Sequence, residues 1–391
     1  MSLVGMMLVG NRKYISKNCF KNILFYNFYM NKQSNIKYSD YDKLMNSYMK
    51  NDIDEFSQLV EGGANINCLS YYGTSFISDI FINFKRKNDN FDNFDKFLNI
   101  LFENDIILRR IGNEEGLLSI VVNQFEDVYY FDKLLKKGIN VNDFGVHKKV
   151  SCDRFDPVIF SAIYKKNDLA INLLLQNNVD INIEDHFGNT ALNYLLRTYS
   201  FYEDKEMIAS LLKKFLSHGA DPNAIGRRGN QPIHVLSESS NNKYLLNILY
   251  ENGLTNINAR NMDGDTPLII SSKNGNMFNV VFLVEKGAEL DATDKSNMSS
   301  ILVAASNQHF GIVEFLLNKG ANLFIVDKNK RNILHYIIDN EKYKKYKDYR
   351  YLNKISQKHP ELLEMKDING VTPLHMLRNQ NKYINDIKLL Y

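Results

Sequence analysis

Two landmarks in the C-terminal half of this chain recur at one interval, and that interval constrains the fold more than any other feature. Gly264 and Asn297 stand 33 residues apart, and so do Gly287 and Gly320. Two markers in one stretch that share a period define a repeat, so the chain must build similar units side by side. The Gly264 slot recurs as Phe155, Gly188, Gly229, Asn297, Lys330 and Gly370, with successive gaps of 33, 41, 35, 33, 33 and 40. The base unit is therefore 33 residues, and the longer gaps are insertions. The second landmark recurs as GANIN from Gly63, GINVN from Gly138, GADPN from Gly219, GAELD from Gly287 and GANLF from Gly320, with a degenerate NVDIN from Asn178.

Local chemistry assigns the elements inside a unit. Thr266 is suited to N-cap a helix, with Pro267 in the first helical position, where its missing N–H costs nothing. Leu268, Ile269, Ser271 and Ser272 make a short helix that a neighbour can approach closely. Asn274-Gly275-Asn276 breaks it, and Val280, Val281, Leu283 and Val284 recur at helical spacing on a second helix. Gly287 falls where a left-handed residue closes helices. One such pair cannot bury its own apolar face, whereas stacked pairs can.

These residues resemble the ankyrin repeat, a unit of about 33 residues with a TPLH-like motif. The resemblance rests on Thr266-Pro267-Leu268 and Thr372-Pro373-Leu374-His375, then on Gln231-Pro232-Ile233-His234 and Asn332-Ile333-Leu334-His335. It covers residues 39–391 in about ten units and is weakest over 70–155. The expected fold is all-α: a solenoid of stacked helix-turn-helix units joined by short hairpin-like turns. Three segments follow: a leader over 1–38 that is poorly ordered or wrongly included, degenerate repeats over 39–155, and well-matched repeats over 156–391, the last incomplete. The leader has no acidic residue before Asp40 and fits a targeting segment or a start at Met30. Tyr383 to Tyr391 reads as the second helix of a final unit. Extra residues near Lys85–Asp95, Thr198–Lys205 and Glu341–Asp348 fall between the two helices of their units.

No signature of an enzyme is present: no GxxxxGK[ST], GxGxxG after a strand, HExxH, GxSxG or EF-hand loop. Asp263-Gly264-Asp265 lacks the ligand ladder and closing Glu of a calcium loop and reads as a turn. His234, His335 and His375 occupy one slot in different units, so no metal site or cofactor is expected; the resemblance implies a structural hydrogen-bonding role. Three scattered cysteines without a CxxC pair favour a reducing compartment. Asn297-Met298-Ser299 matches a glycosylation acceptor, which that compartment argues against. A net charge of +3 gives no nucleic-acid footprint, although Lys342 to Lys354 alternates basic residues with tyrosines; a nucleic-acid partner is not expected. No run of about 18 apolar residues suits a bilayer.

The resemblance implies a non-enzymatic scaffold that binds a protein partner through its turn tips and inner helices. The candidate contacts at the tips are Arg227, Arg228, Arg260, Met262, Lys295, Met298, Lys328, Lys330 and Arg331, with His186 and Phe187 further along. Val235, Glu238, Ile270, Lys273, Val303, Asn307, Tyr336 and Asp339 are the inner-helix candidates. Because the tips from 227 to 331 lean basic, an acidic or mixed partner is expected. A monomer is expected, cytoplasmic or delivered into a host-cell cytoplasm, where it would act as an effector. The abundance of Asn, Lys, Ile and Tyr is what AT-rich codons produce, as in intracellular bacteria and large DNA viruses. The alternative is an adaptor that recruits a ubiquitin ligase or another enzyme to a bound target.

Overall fold

The structure, a computed structural model, describes residues 38–70, 74–87, 91–108, 116–125, 128–142, 144–146, 155–199, 205–240, 242–339 and 350–379. Most of the expected leader, the expected terminal helix from Tyr383 and the insertion at 341–348 lie outside them; Tyr38 opens the first helix. The described residues are predominantly helical, and the chain divides into two compact units, one up to Ala170 and one from Ile171.

The first unit contains α1 (Tyr38–Lys50), α2 (Ile53–Glu61), α3 (Phe76–Lys87), α4 (Phe91–Glu103), α5 (Leu117–Gln124), α6 (Tyr129–Lys136) and α7 (Val158–Lys165). Helix α8 (Asp168–Gln176) carries the division between the units. Helices α3, α5 and α7 stack as the first helices of successive pairs, and α2 packs on α4 as a second helix. Between α6 and α7, β1 (Phe144–Val146) pairs antiparallel with β2 (Phe155–Pro157), Phe144 opposite Pro157. The core here is aromatic. Phe84 stacks on Phe94 at 4.2 Å between ring centroids, and Phe81 and Tyr130 meet Phe94 edge-on at 5.1 Å. Edge-on and offset rings of this kind add to what area burial alone supplies. Of the residues expected as an insertion at 85–95, 85–87 finish α3 and 91–95 begin α4, while 88–90 lie outside the described residues.

The second unit runs from α9 (Ala191–Tyr199), α10 (Lys205–Ser217), α11 (Pro232–Glu238) and α12 (Lys243–Glu251) through α13 (Pro267–Lys273), α14 (Met277–Glu285), α15 (Ser300–Ser306) and α16 (Phe310–Asn318). It ends with α17 (Ile333–Asp339), α18 (Arg350–Lys358) and α19 (Pro373–Asn379). Odd-numbered helices stack on one another as one layer; α10, α12, α14 and α16 form the second. The expected chemistry is in place at α13: Thr266 Oγ1 accepts from Ile269 N at 3.3 Å, and Pro267 is the first helical residue. Ser271, Ser272, Ala304 and Ala305 are fully buried and let first helices approach closely. Gly275 ends the helix in the left-handed region (φ 75°), and a Cβ there would meet the His309 ring at 2.6 Å.

Through α16, each second helix ends on a left-handed residue, as expected at Gly63, Gly138, Asn178, Gly219, Gly287 and Gly320. Asp105 (φ 54°) and Gly253 (φ 99°) play the same part, and the repeat pattern had not marked either one. Among the described residues, no helix is long and apolar enough to cross a membrane.

Candidate protein-binding surface

The turn tips of the second unit are built by one device used five times. A side-chain oxygen three residues before the left-handed slot accepts two backbone N–H groups. Asp185 takes Phe187 and Asn189 (both 2.8 Å), Asn261 takes Asp263 and Asp265 (2.9 and 3.0 Å), and Asp294 takes Ser296 and Met298 (2.7 and 2.9 Å). Asp327 does so for Asn329 and Arg331 (2.9 and 2.7 Å), and Asp367 for Asn369 and Val371 (2.8 and 2.9 Å). Such side chains mimic a backbone turn and fix its shape. The slot itself is left-handed at Gly188, Gly229, Gly264, Asn297, Lys330 and Gly370, which is why glycine or asparagine recurs there. At the sixth tip Gly226 replaces the bracketing residue, and residues Arg227–Gly229 form a 3-10 turn instead.

Neighbouring tips are sewn together through their backbones. Met262 N donates to Arg228 O (2.9 Å), Lys295 N to Asp263 O (3.0 Å), Lys328 N to Ser296 O (3.0 Å) and Ile368 N to Asn329 O (2.8 Å). A Cβ on Gly264 would sit 2.9 Å from Lys295 N, so the glycine is also what lets the tips come this close.

The nine predicted tip residues separate into two groups on this frame. Arg228 pairs with Asp263 at 2.8 Å, and Arg331 pairs with Asp339 at 2.9 Å while lying over the Tyr336 ring at 4.7 Å. Arg260 donates to the carbonyls of Thr293 (2.5 Å) and Gly264 (3.2 Å). Met298 is half-buried, its sulfur 3.3 Å from the Tyr336 hydroxyl oxygen. Each of these four has a partner within the protein, although Arg228 and Arg260 remain exposed. Arg227, Met262, Lys295, Lys328 and Lys330 are exposed; Arg227 lies over the Phe187 ring at 4.6 Å. Register could have added Ile368, which is 61% exposed and two residues before Gly370, the place Lys328 holds before Lys330.

The inner-helix candidates also divide. Val235, Ile270 and Val303 are buried between stacked helices and offer no surface, which corrects their assignment to the groove. Glu238, Lys273, Asn307 and Asp339 are exposed, and Tyr336 is half-buried, its hydroxyl donating to Asp327 at 2.6 Å. Two polar recesses open where tips meet first helices. One, of about 330 Å³, is lined by Arg197, Arg227, Glu238, Asp265 and Lys273 among others; another, of about 420 Å³, by Arg331, Asp339, Asp367 and Ile368 among others. Asp265, half-buried in the first, has its carboxyl lifted above the ordinary range by desolvation, opposed by Lys273.

The histidine slot does structural work. His234 Nδ1 accepts from Gln231 N at 3.1 Å and its Nε2 meets Ala259 O at 3.0 Å; His335 repeats this with Asn332 N and Val371 O. Each ring thus closes its own helix N-terminus and reaches toward the next turn. Burial pushes both imidazoles below their ordinary pKa, against the carbonyl bonds that favour protonation. No cluster of His, Cys, Asp or Glu among the described residues is arranged to hold a metal. Of the Lys342–Lys354 stretch, Tyr351 stacks on Phe310 at 4.6 Å and Lys354 pairs with Glu314 at 2.5 Å. Ser299 of the glycosylation match is fully buried.

Residues 202–294 match the family model of ankyrin repeats (3 copies), and residues 273–317 that of ankyrin repeats (many copies). Residues 202–317 are thus ankyrin repeats by sequence. It is 28% identical over 207 residues to the human transient receptor potential cation channel subfamily A member 1, covering 51% of this chain and 17% of that protein. It is 25% identical over 173 residues to an ankyrin repeat protein of fowlpox virus (strain NVSL), covering 42% of this chain and 39% of that one. It therefore spans well under half the length of these relatives. Among solved structures, the ankyrin repeat domain of Bcl-3, described as a member of the IkappaB protein family, aligns with a TM-score of 0.45 and 24% identity, over 56% of this chain and 92% of that one. Ankyrin repeats generally mediate protein–protein interaction, and nothing in these matches indicates catalysis.

Proposed function

We propose that this ankyrin-repeat protein is a non-enzymatic scaffold that binds an acidic segment of a partner protein along the tips from Arg227 to Lys330. One observation carries the reading. Lys295, Lys328 and Lys330 are exposed on two adjoining tips joined by the Lys328 N to Ser296 O bond. Rigid presentation lowers the ordering cost of binding, and like charges on one edge select a complementary partner. Arg228 and Arg331 add little free positive charge, because Asp263 and Asp339 answer them.

Matches to ankyrin repeat proteins of fowlpox virus and of Acanthamoeba polyphaga mimivirus support a role in the cytoplasm of an infected host cell. The test is affinity purification with mass spectrometry on the wild-type chain and on a variant carrying Lys295→Glu, Lys328→Glu and Lys330→Glu. The partner should be retained by the wild type and lost by the variant, while the thermal unfolding midpoints agree. A partner held equally by both sinks the reading. Ubiquitin-ligase subunits among the retained proteins would turn the scaffold into an adaptor.

A further inference from the structure

A second row of side chains joins the repeats of the second unit in the loop between each second helix and the tip that follows it, and it breaks at one place. Four residues after the left-handed closing residue, or five after Gly253, stands an Asn or Asp that reaches the next repeat. Asn182 accepts from Asp221 N (2.9 Å) and donates to Gly219 O (2.9 Å). Asn223 accepts from Thr255 N (2.9 Å) and donates to Gly253 O (2.8 Å). Asn258 accepts from Glu289 N (2.9 Å), and Asp291 from Asn322 N (2.8 Å).

In the following repeat that place is held by Phe324, which can make no such bond. The repeat beyond it closes with a 3-10 turn, Pro360–Leu363, rather than a glycine loop. The Phe324 ring instead meets His359 edge-on at 5.7 Å and stays 43% exposed. At this junction a groove of about 380 Å³ opens between α16 and α18. Leu317, Leu323, Phe324 and Ile355 supply its apolar surface, and Lys354 and Lys358 stand on its rim, one helical turn apart. Glu314 neutralises Lys354, and among the described residues no carboxylate answers Lys358.

We propose that this groove is a second docking site, which takes an apolar side chain of a partner protein flanked by a carboxylate. The volume suits one large side chain and its neighbours, and an aromatic wall beside an unanswered cation matches such a pair in shape and charge. The site is lined by α16, the loop that follows it and α18, and uses none of the tip lysines.

Fluorescein-labelled hexapeptides tested on the full chain by anisotropy provide the probe: Glu-Glu-Leu-Phe-Glu-Glu, and the same peptide with lysine in place of each glutamate. The acidic peptide should bind, and Phe324→Asn should weaken it about tenfold with an unchanged circular dichroism spectrum. Lys358→Glu should shift the preference toward the lysine peptide. The triple tip variant Lys295→Glu, Lys328→Glu, Lys330→Glu should bind the acidic peptide as the wild type does. Equal binding of both peptides, no effect of Phe324→Asn, or loss of binding in the tip variant instead would each overturn the proposal. A dimer in sedimentation that Phe324→Asn dissociates would assign the groove to a second copy of the chain and overturn it likewise.

Discussion

The two units of this protein reach the same helix-pair architecture by different chemistry. In the first, rings do the work: Phe56, Phe76, Phe81, Phe84, Phe94, Phe97 and Tyr130 fill the space between helices of up to 13 residues. In the second, first helices from α11 onward shrink to seven residues, small side chains line the contacts, and specific turns carry the order. Bulky cores stabilise through area and tolerate drift in which residue supplies it. Turn devices tolerate none, because each needs a given residue type at a given place. One unit is defined by volume and the other by register.

The sharpest way to break this contrast is to remove a ring. Phe94→Ala should cost about 4 kcal/mol, since Phe94 is 1% exposed and touches Phe81, Phe84 and Tyr130. Hydrogen exchange should quicken in α3, α4 and α6 and stay unchanged in α13 to α16, as expected of an array stabilised by nearest neighbours. Equal quickening in both would mean that the chain unfolds as one body.

The matching change in the second unit adds only a methyl. Gly264→Ala forces a side chain into the left-handed region at φ 83° and against Lys295 N, and should cost about 2 kcal/mol by chemical denaturation. A variant as stable as the wild type would show that the tips are not locked together.

Acid should likewise act on the second unit. His234 and His335 are held neutral, with folded pKa values below the unfolded value of about 6.5. Their contribution is complete above that pH. As pH falls through the unfolded pKa the unfolded chain takes up protons first, and stability drops until the folded pKa is passed. The slope is at most about 1.4 kcal/mol per pH unit for each histidine. Denaturation midpoints from pH 8 to 5 check this, and His234→Gln with His335→Gln should flatten the decline.

The smallest expected effect is a gain. Lys330 is a non-glycine residue in the left-handed slot at φ 57°, so Lys330→Gly should stabilise the second unit by about 1 kcal/mol. The same substitution should weaken partner binding if Lys330 is a contact, which separates its two roles in one variant.

What could be read from the sequence follows the same divide. Gly264, Asn297, Lys330 and Gly370 were legible as one slot because a positive φ restricts residue choice, and Thr266-Pro267 because capping does. The expected fold and family were correct. Asp105 and Gly253 escaped notice: the first is not glycine, and the second precedes a turn longer by one residue. The length of α3 and α4, 12 and 13 residues, escaped as well, because their apolar rings carry no punctuation. In the binding surface, exposure at Lys295 and Lys328 followed from register alone. The pairing of Arg228 with Asp263 and the use of Arg260 by Thr293 did not, because those partners come from the neighbouring turn.

The backbone bonds that join successive tips turn that edge into a ruler. Every residue added between the helices of a repeat leaves the graduations where they are, so the chain can vary its far rim in length without moving Lys295 relative to Lys328. If the proposed partner binds along this edge, its charges must match that interval.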